Sequence, residues 1–424
     1  MRVRAGIVIT GTEVLTGRVA DRNGPWLAEQ LRIVGVDVGR IIVVGDRPAD
    51  LTAALQHLSA DHDLVITSGG LGPTADDLTA RIVGDVQGRP SEVDPELELR
   101  VAAAVEALLR RRRWKADPVA MAAGTRKQAT VPVGAHILDP VGTAPGLVVP
   151  PAQDRHGPPV VVLPGPPGEL QAMWPAALGV PAVRDVLART TPLLQDTIRL
   201  WGTLEADLAA SLRRIETGLV GLEVSTCLRD GELEIVTRYP PEAAEQLDLL
   251  RRTVVGDFGG TVFSTDGARV DDIVGDALTA QGWTVATAES CTGGLLGARL
   301  TARAGSSGYV TGSVVGYRDA VKTALLGVPE ATIEAHGSVS AQVAEALADG
   351  ARTALDADVG VGVTGIAGPG GGSPDKPVGT VHLCVVSPRS RRTRGLLLPG
   401  DREQVRIRTV VTALHELRLL LTRA

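Results

Sequence analysis

The sequence has 424 residues, 44% hydrophobic and only 2% aromatic, with a formal net charge of −6. That length calls for two to four domains whose cores are built from Ala, Val, Leu and Ile. The acidic balance and the shortage of rings weigh against nucleic-acid binding, base-stacking modules and anionic membrane surfaces.

Three cysteines, Cys227, Cys291 and Cys384, are odd in number and far apart, with no CxxC spacing, which fits a reducing compartment. No apolar run approaches the length of a membrane span. Met1-Arg2-Val3-Arg4 leads into a short strand, not a long apolar leader. A cytoplasmic protein is the expectation.

In chain order, Ala5 to Ile9 reads as a buried strand ending in the polar Thr10-Gly11-Thr12-Glu13. Pro25 to Gly35 has helical spacing at Trp26, Leu27, Leu31 and Val34, with Gly35 as the stop. Arg40 to Val44 is strand-like and runs into Gly45-Asp46. A helix over Asp50 to Leu58 follows, then a strand over Asp63 to Thr67 and the Gly-rich Ser68 to Asp77. This alternation predicts a parallel sheet with helices on both faces, and chemistry at the strand ends. A Gly-rich loop entering a helix can hold phosphate on backbone N–H groups. Asp76 and Asp77 at a helix start also fit plain dipole stabilisation. With Glu13 and Asp46 they make four acids arriving from three strand ends, a cluster that persists by binding a divalent cation. All-oxygen donors favour Mg²⁺ or Mn²⁺. Ser91 to Arg113 reads as one long charged helix. Thr143 to Val149 and Val160 to Leu163 read as the last strands, separated by a Pro-rich turn. His136 and His156 have no partner at ligand spacing and are read as surface residues.

The pattern changes near Pro175 to Pro192. Strands over Asp196 to Gly202, Leu222 to Leu228, Glu232 to Tyr239 and Thr261 to Ser264 alternate with helices over Glu205 to Ile215 and Pro241 to Val255. Arg229-Asp230-Gly231 is a hairpin turn. The order βαββαβ predicts a small ferredoxin-like or KH-like unit without a catalytic cluster.

Val270 to Gln281 is a helix leading into Ala286 to Gly294, A-T-A-E-S-C-T-G-G. A strand stops at Glu289-Ser290-Cys291-Thr292, and Gly293-Gly294 open a helical pattern. A Ser hydroxyl at such a turn can attack a carbonyl while backbone N–H groups receive the oxyanion. Equally, Ser290 or Thr292 can be an N-cap. Cys291 can be read as a nucleophile or as a small buried residue, the commoner case. Ser313 to Tyr317 and Val359 to Val363 are further strands, so three strand ends again suit a crevice at a parallel-sheet edge. Gly370 to Lys376 reads as a mobile lid. His382 in a strand and His415 on the closing helix, Arg402 to Leu421, read as structural.

The motifs A-E-S-C-T-G-G, Tyr317-x4-Lys322, H-G-S-V-S (336 to 340), T-G-I-A-G-P (364 to 369) and K-P-V-G-T (376 to 380) resemble the CinA C-terminal domain. G-G-L-G-P-T-x-D-D-L-T, the Glu13 strand end and V-L-P-G-P-P-G-E-L (162 to 170) resemble the molybdopterin-binding-like N-terminal domain of the same family. The resemblance implies an α/β chain with two three-layer domains, residues 1–175 and 267–424. A KH-like connecting domain, 176–266, lies between them.

For the last domain the resemblance implies hydrolysis of the carboxamide of nicotinamide mononucleotide, without a cofactor. Ser290 would be the nucleophile, Lys322 the base and Tyr317 a hydrogen-bonding assistant. Thr292 and Gly293 would lie at the oxyanion, Glu289 beside them, and Ser306, Ser307, Thr364 and Gly365 on the ribose phosphate. For the first domain it implies a Mg-, Mn- or Co-dependent pyrophosphatase acting on ADP-ribose or NAD-like dinucleotides. Glu13, Asp46, Asp76 and Asp77 would be its acidic site groups. Gly69, Gly70, Gly72 and Thr74 would form the phosphate loop, with Asn23 and Gly165 nearby. The family's usual Gly-Asp-Glu after the first strand is Gly11-Thr12-Glu13 here, so one carboxylate is replaced by a hydroxyl. A homodimer is the expected assembly. Two other readings stay open: nucleotide or pterin binding without turnover, and a protein partner in DNA uptake or repair.

Overall fold

The computed structural model describes residues 2–191 and 193–422. Its contacts divide it into two compact units, parting between Leu194 and Gln195.

In the first unit the strands are β1 (Arg4–Thr10), β2 (Asp37–Val44), β3 (Leu64–Ser68), β4 (Ser91–Val93), β5 (Thr130–Pro132), β6 (His136–Leu138), β7 (Gly146–Val149) and β8 (Val160–Leu163). The helices are α1 (Thr12–Leu15), α2 (Asn23–Ile33), α3 (Pro48–Ser59), α4 (Thr79–Gln87), α5 (Pro95–Arg112), α6 (Pro118–Gln128), α7 (Pro167–Gly179) and α8 (Pro181–Leu187). A six-stranded sheet runs in the order β2-β1-β3-β8-β7-β6. Alternate residues of β1 face opposite ways, as strand geometry requires. Ile7 and Ile9 pack with Leu27 and Leu31 of α2 and Met173 of α7. Val8 packs with Leu55 of α3, Val83 of α4 and Leu97 of α5. The result is three layers.

The expected parallel sheet is present in β2-β1-β3-β8 and gives way to antiparallel pairing beyond β8. β1 is parallel to β2 and β3, and β3 to β8, but β7 is antiparallel to both β8 and β6. Residues 150–159 contain no helix that could carry the chain back across the sheet, so β7 and β8 can only pair as a hairpin. The long helix expected from Ser91 also starts later. Ser91–Val93 pairs with β5, and α5 begins at Pro95, capped by the Asp94 carboxylate accepting from Leu97 N at 2.8 Å. Asp at the cap and Pro at the first helical position set that start. α7 runs through residue 175, and Val183 and Val186 of α8 belong to the same core, so this unit extends past the expected boundary.

The second unit opens with β9 (Leu194–Trp201), α9 (Glu205–Ile215), β10 (Glu223–Arg229), β11 (Glu232–Tyr239), α10 (Ala244–Phe258) and β12 (Val262–Ser264). These form a four-stranded sheet, β10-β11-β9-β12, packed through Leu208 of α9 and Leu247 and Leu250 of α10. The chain continues as α11 (Val270–Gln281), β13 (Val285–Glu289), α12 (Leu295–Thr301), β14 (Val310–Val315), α13 (Asp319–Leu326) and α14 (Glu330–His336). It closes with α15 (Ala341–Ala354), β15 (Val359–Gly365), β16 (Thr380–Val386), β17 (Arg391–Leu397) and α16 (Arg402–Thr422). The second sheet of this unit is β14-β13-β15-β16-β17, with β13 parallel to both neighbours and β16 antiparallel to β15 and β17. Val285, Val361 and Val363 pack on Leu278 of α11 and Leu414 of α16. Ala286 and Ala288 pack on Val343 and Leu347 of α15. His415 of α16 is fully buried and stacks on Trp201 at 4.4 Å, with Nε2 at 2.6 Å from Glu232. That contact joins the two sheets of this unit.

Candidate active sites

In the first sheet the chain leaves β1 toward β2 and leaves β3 toward the other side, so a crevice opens at their carboxyl ends. A cleft of about 320 Å³ lies there, lined by Glu13, Asp46, Gly69, Gly70, Gly72, Thr74, Asp76, Asp77 and Gly165. Gly69 and Gly70 have φ of +106° and +67°. A Cβ on Gly69 would lie 2.5 Å from Thr10 Oγ1, and one on Gly70 2.1 Å from Thr79 Oγ1. Only glycine lets the loop fold back on β1 and α4 in this way.

Each acid has its own setting. Asp46 Oδ2 accepts from Thr12 N at 3.0 Å and Thr12 Oγ1 at 2.7 Å. Thr12, where the resemblance implies an acid, therefore serves as donor to Asp46. Asp77 accepts from Thr74 N at 2.9 Å and from its hydroxyl at 2.6 Å. The Thr74 hydroxyl also reaches Asp76, and with Asp76's own N–H and the Lys127 charge it holds that carboxyl below its usual range. Glu13 makes no side-chain hydrogen bond or ion pair among the described residues. The four acids share one cleft, but among the described residues no three of them gather as a ligand set. This arrangement fits a hard cation held by one or two carboxylates and completed by substrate phosphates, not an all-protein cage.

Asn23 lies just outside this cleft. Its Nδ2 donates to Ser68 Oγ at 2.9 Å and Gly165 O at 2.6 Å, tying the end of β3 to the loop after β8. Two residues escaped the sequence reading. Glu169 lines the cleft, and burial pushes its carboxyl up. Lys127, near the end of α6, has its Nζ buried without a hydrogen-bond partner among the described residues. Burial lowers its pKa against the pull of Asp77 and Asp76. Glu169 stands in the quoted V-L-P-G-P-P-G-E-L motif. Lys127 had no local signal, because α6 reaches the loop only through contacts such as Gln128 Nε2 to Leu71 O, 3.0 Å.

In the second unit, Ser290 follows β13 and donates its backbone N–H to Val363 O at 2.9 Å. Ser290 is 8% exposed, and its hydroxyl has no hydrogen bond among the described residues. At the end of β15, Thr364 Oγ1 donates to Ser338 O at 2.7 Å. Ser338 Oγ donates to Asp319, which accepts from Lys322 Nζ at 2.6 Å. A continuous run of bonds thus links the Ser290 strand end to the buried Lys322. The Lys322 ammonium and the Ser338 hydroxyl hold the Asp319 carboxyl below its ordinary range. Lys376 Nζ closes the same segment, donating to His336 O at 2.9 Å and Val339 O at 2.7 Å. The stretch read as a lid is therefore anchored at its Lys376 end.

Several expectations change here. Glu289 is fully buried and turned to the start of α12. Its carboxylate accepts from Gly294 N at 3.0 Å, Leu296 N at 3.1 Å and Gly297 N at 2.8 Å. It is the cap, and it is not free to touch a substrate. Gly293 N already donates to Ser290 O at 3.1 Å, so it is not an open oxyanion donor. Thr292 is fully buried; its Oγ1 has no partner, and its carbonyl accepts from Arg406 at 2.9 Å. Ser306 and Ser307 precede β14, at the amino-terminal edge of the sheet. One crossing of β13, about 16 Å, separates that edge from Ser290. The short α12 has carried the chain back by then. Tyr317 is exposed and accepts from Arg402 at 3.1 Å; it makes no bond to Lys322 or Ser290. Gly365 is held small by its neighbours: a Cβ there would meet Val381 at 2.8 Å and Cys291 Sγ at 3.0 Å. Burial pushes the Cys291 thiol up to about 12, which removes it as a nucleophile. Lys322 Nζ is paired with Asp319 Oδ1 at 2.6 Å.

Residues 6–185 match the family model described as a probable molybdopterin binding domain, and residues 268–421 that of the CinA C-terminal domain. A CinA-like protein of Mycobacterium sp. strain JLS is 53% identical over 423 residues, covering 99% of both chains. A CinA-like protein of Mycobacterium tuberculosis strain H37Ra is 50% identical over 426 residues, covering 99% of this chain and 97% of that one. This chain belongs to the CinA family. Among solved structures, a CinA superfamily protein from Klebsiella pneumoniae 700603 is 32% identical. It covers 37% of this chain and all of that one, with a TM-score of 0.35. Both sites of this CinA-family chain fall inside the matched segments, the Gly69 loop in the first and Ser290 in the second. No helix among the described residues is long and apolar enough to cross a membrane.

Proposed function

We propose that this chain is a two-site hydrolase of pyridine nucleotides. The second unit hydrolyses the carboxamide of nicotinamide mononucleotide, and the first cleaves the diphosphate of ADP-ribose or an NAD-like dinucleotide. The observation that carries the deamidation is the Ser290 hydroxyl, nearly buried and, among the described residues, unbonded at the end of β13. It stands on the edge where Thr364, Ser338, Asp319 and Lys322 are joined.

Ser290 Oγ attacks the carboxamide carbon, and the C–N bond breaks as ammonia leaves. Water then cleaves the acyl-serine, giving the nicotinate mononucleotide and restoring the hydroxyl. Lys322 is the proton carrier of this scheme. Its Nζ takes the proton from Ser290 Oγ as the carbonyl is attacked and gives it to the leaving nitrogen.

In the first unit, the Gly70–Gly72 segment cradles the diphosphate on backbone N–H groups, the Gly69 N–H being held by Leu163 O at 3.0 Å. A divalent cation held by Glu13 with Asp46 or Asp77 would supply charge neutralisation and water activation when bound. The Thr12–Asp46 hydrogen bond favours one rival, binding without turnover, because it occupies a carboxylate the cation would use.

Ammonia release from nicotinamide mononucleotide, measured beside Ser290→Ala, tests the second unit. Release lost in the variant supports the scheme; release that survives it removes Ser290 as nucleophile. Mg²⁺-dependent release of AMP from ADP-ribose tests the first unit, and binding without release selects the rival.

A further inference from the structure

The helical hairpin of α5 and α6 in the first unit has its base in the core and its end outside it. Of the 18 residues of α5, only Leu97 and Val101 are buried. Both belong to the core that holds Val8 and Leu55. Of α6, only Thr125 and Gln128 are buried, and Gln128 fastens that helix to Leu71 O. Past Val101 the first helix runs on to Arg112, about 16 Å of axis. Every residue from 111 to 120 is exposed.

The end carries Arg110-Arg111-Arg112-Arg113-Trp114-Lys115, five cations in six positions of a chain whose net charge is −6. Among the described residues only Arg110 of these has an acidic partner, Glu106 at 3.5 Å. Trp114 stands among the cations and is 58% exposed. The Arg112 guanidinium lies 4.8 Å over its ring, and its backbone N–H donates to Leu109 O at 3.0 Å. The indole is thus fixed to the helix end. Val119, across the turn at the start of α6, is 77% exposed. Cations in the last turn of a helix are explained by its dipole. Arg113 and Lys115 lie past that turn, and the dipole gives no reason to expose an indole.

An anionic surface repels the chain as a whole. The end of the hairpin, however, stands about two Debye lengths beyond its last buried residue, so the body's negative charge is screened there. Lower on the hairpin the cations are already paired, Arg100 with Asp139 and Arg126 with Glu98. A nucleic-acid backbone laid along the arm would find no row of free guanidinium groups, whereas a flat surface meets the end alone.

We propose that this end is a docking point for an anionic lipid bilayer. Arg111, Arg112, Arg113 and Lys115 lie against lipid phosphates. Trp114 enters the interface, where its apolar ring and its N–H are both satisfied. The chain is held on the surface and does not span it. Neither proposed hydrolysis is needed for this inference.

The test is co-sedimentation of the full chain with vesicles of phosphatidylglycerol and phosphatidylcholine in equal parts, beside vesicles of phosphatidylcholine alone. Tryptophan emission is recorded in parallel. Binding is expected to the anionic vesicles only, to weaken as salt is raised, and to shift the emission to the blue. Each cation near such a surface changes partition by about fivefold, so Arg111→Ser, Arg112→Ser and Arg113→Ser combined should lower binding by about a hundredfold. Lysine at the same three positions should keep most of it. Trp114→Phe should still bind but lose the shift. These side chains are exposed, so the variants are expected to melt with the wild type. If the serine variant does not, the lysine variant and Trp114→Phe decide. The proposal is overturned if the anionic vesicles bind nothing at low salt, if both vesicle types bind equally, or if the folded serine variant binds fully. It is also overturned if the lysine variant loses binding or if the blue shift survives in Trp114→Phe. A mixed-sequence oligonucleotide that displaces the chain from the vesicles through the same arginines would assign the end to nucleic acid and overturn it as well.

Discussion

Glu289→Ala separates a structural carboxylate from a substrate-binding one. Three N–H groups, of Gly294, Leu296 and Gly297, lose their acceptor, as do the hydroxyls of Ser313 at 3.1 Å and Thr287 at 3.3 Å. A buried donor left unsatisfied costs about 1–3 kcal/mol. Water entering the space of the lost carboxylate offsets part of this, since Gly294 is only half-buried. The expected loss is about 3–5 kcal/mol, a large fraction of the roughly 5–15 kcal/mol by which a domain is stable. At about 2–4 °C per kcal/mol, the melting transition of the second unit falls by about 10 °C. Glu289→Gln keeps one acceptor oxygen but turns an amide NH₂ toward N–H donors, and should lose about 2 kcal/mol. The assay is a calorimetric melt of the full chain, with kcat and KM for nicotinamide mononucleotide measured well below the transition. If Glu289→Gln melts with the wild type while KM alone rises, the carboxylate touches substrate and the capping account is wrong.

Three further outcomes follow from the same geometry. The Asp319 carboxyl is depressed by the Lys322 hydrogen bond, the Ser338 hydroxyl and the Lys322 charge. Its stabilisation is therefore present above the ordinary carboxylate value of 3.8 and is lost as pH falls below it. Urea midpoints of wild type and Asp319→Asn should differ at pH 7 and converge toward pH 3; a constant difference would show that the pair contributes no linkage. Burial pushes Cys291 up to about 12 and Cys384 to about 11, whereas Cys227 is exposed. Iodoacetamide at pH 8 should therefore label Cys227 alone in the native chain, and mass spectrometry that finds Cys291 alkylated would contradict its burial. Thr12→Asp replaces the donor to Asp46 with a like charge. The variant should melt lower than wild type without divalent cations and recover with millimolar Mg²⁺; a deficit that Mg²⁺ leaves untouched would argue against a cation at Asp46.

Much of the candidate chemistry was legible because strand ends announce themselves. Short apolar runs breaking into Gly, Ser, Thr and Asp marked the ends of β1, β3, β13 and β15, and the positive-φ glycines of the Gly69 loop lie where the composition put them. The Lys322–Asp319 pair was also within reach, since an acid three residues before a lysine on a helix shares its face. Side-chain direction was not legible. Glu289 and Ser290 are adjacent in sequence, yet one carboxylate turns back under α12 while the neighbouring hydroxyl stays unbonded. Ser306 and Ser307 read as site residues until the short α12 is seen to return the chain to the far edge.

Local pattern determined the elements, the turns and the residue types at each strand end, because hydrophobic period, glycine and capping residues act over a few positions. It also determined the family, through motifs long enough to be read without coordinates. Only the tertiary structure decided that β7 pairs antiparallel with β8, that Thr12 spends its hydroxyl on Asp46 34 positions away, and that Lys127 lies buried beside the Gly69 loop. Those outcomes depend on which surfaces meet and which donors find acceptors across the fold. The energy of such contacts is set by distance in space and burial, to which separation along the chain is blind.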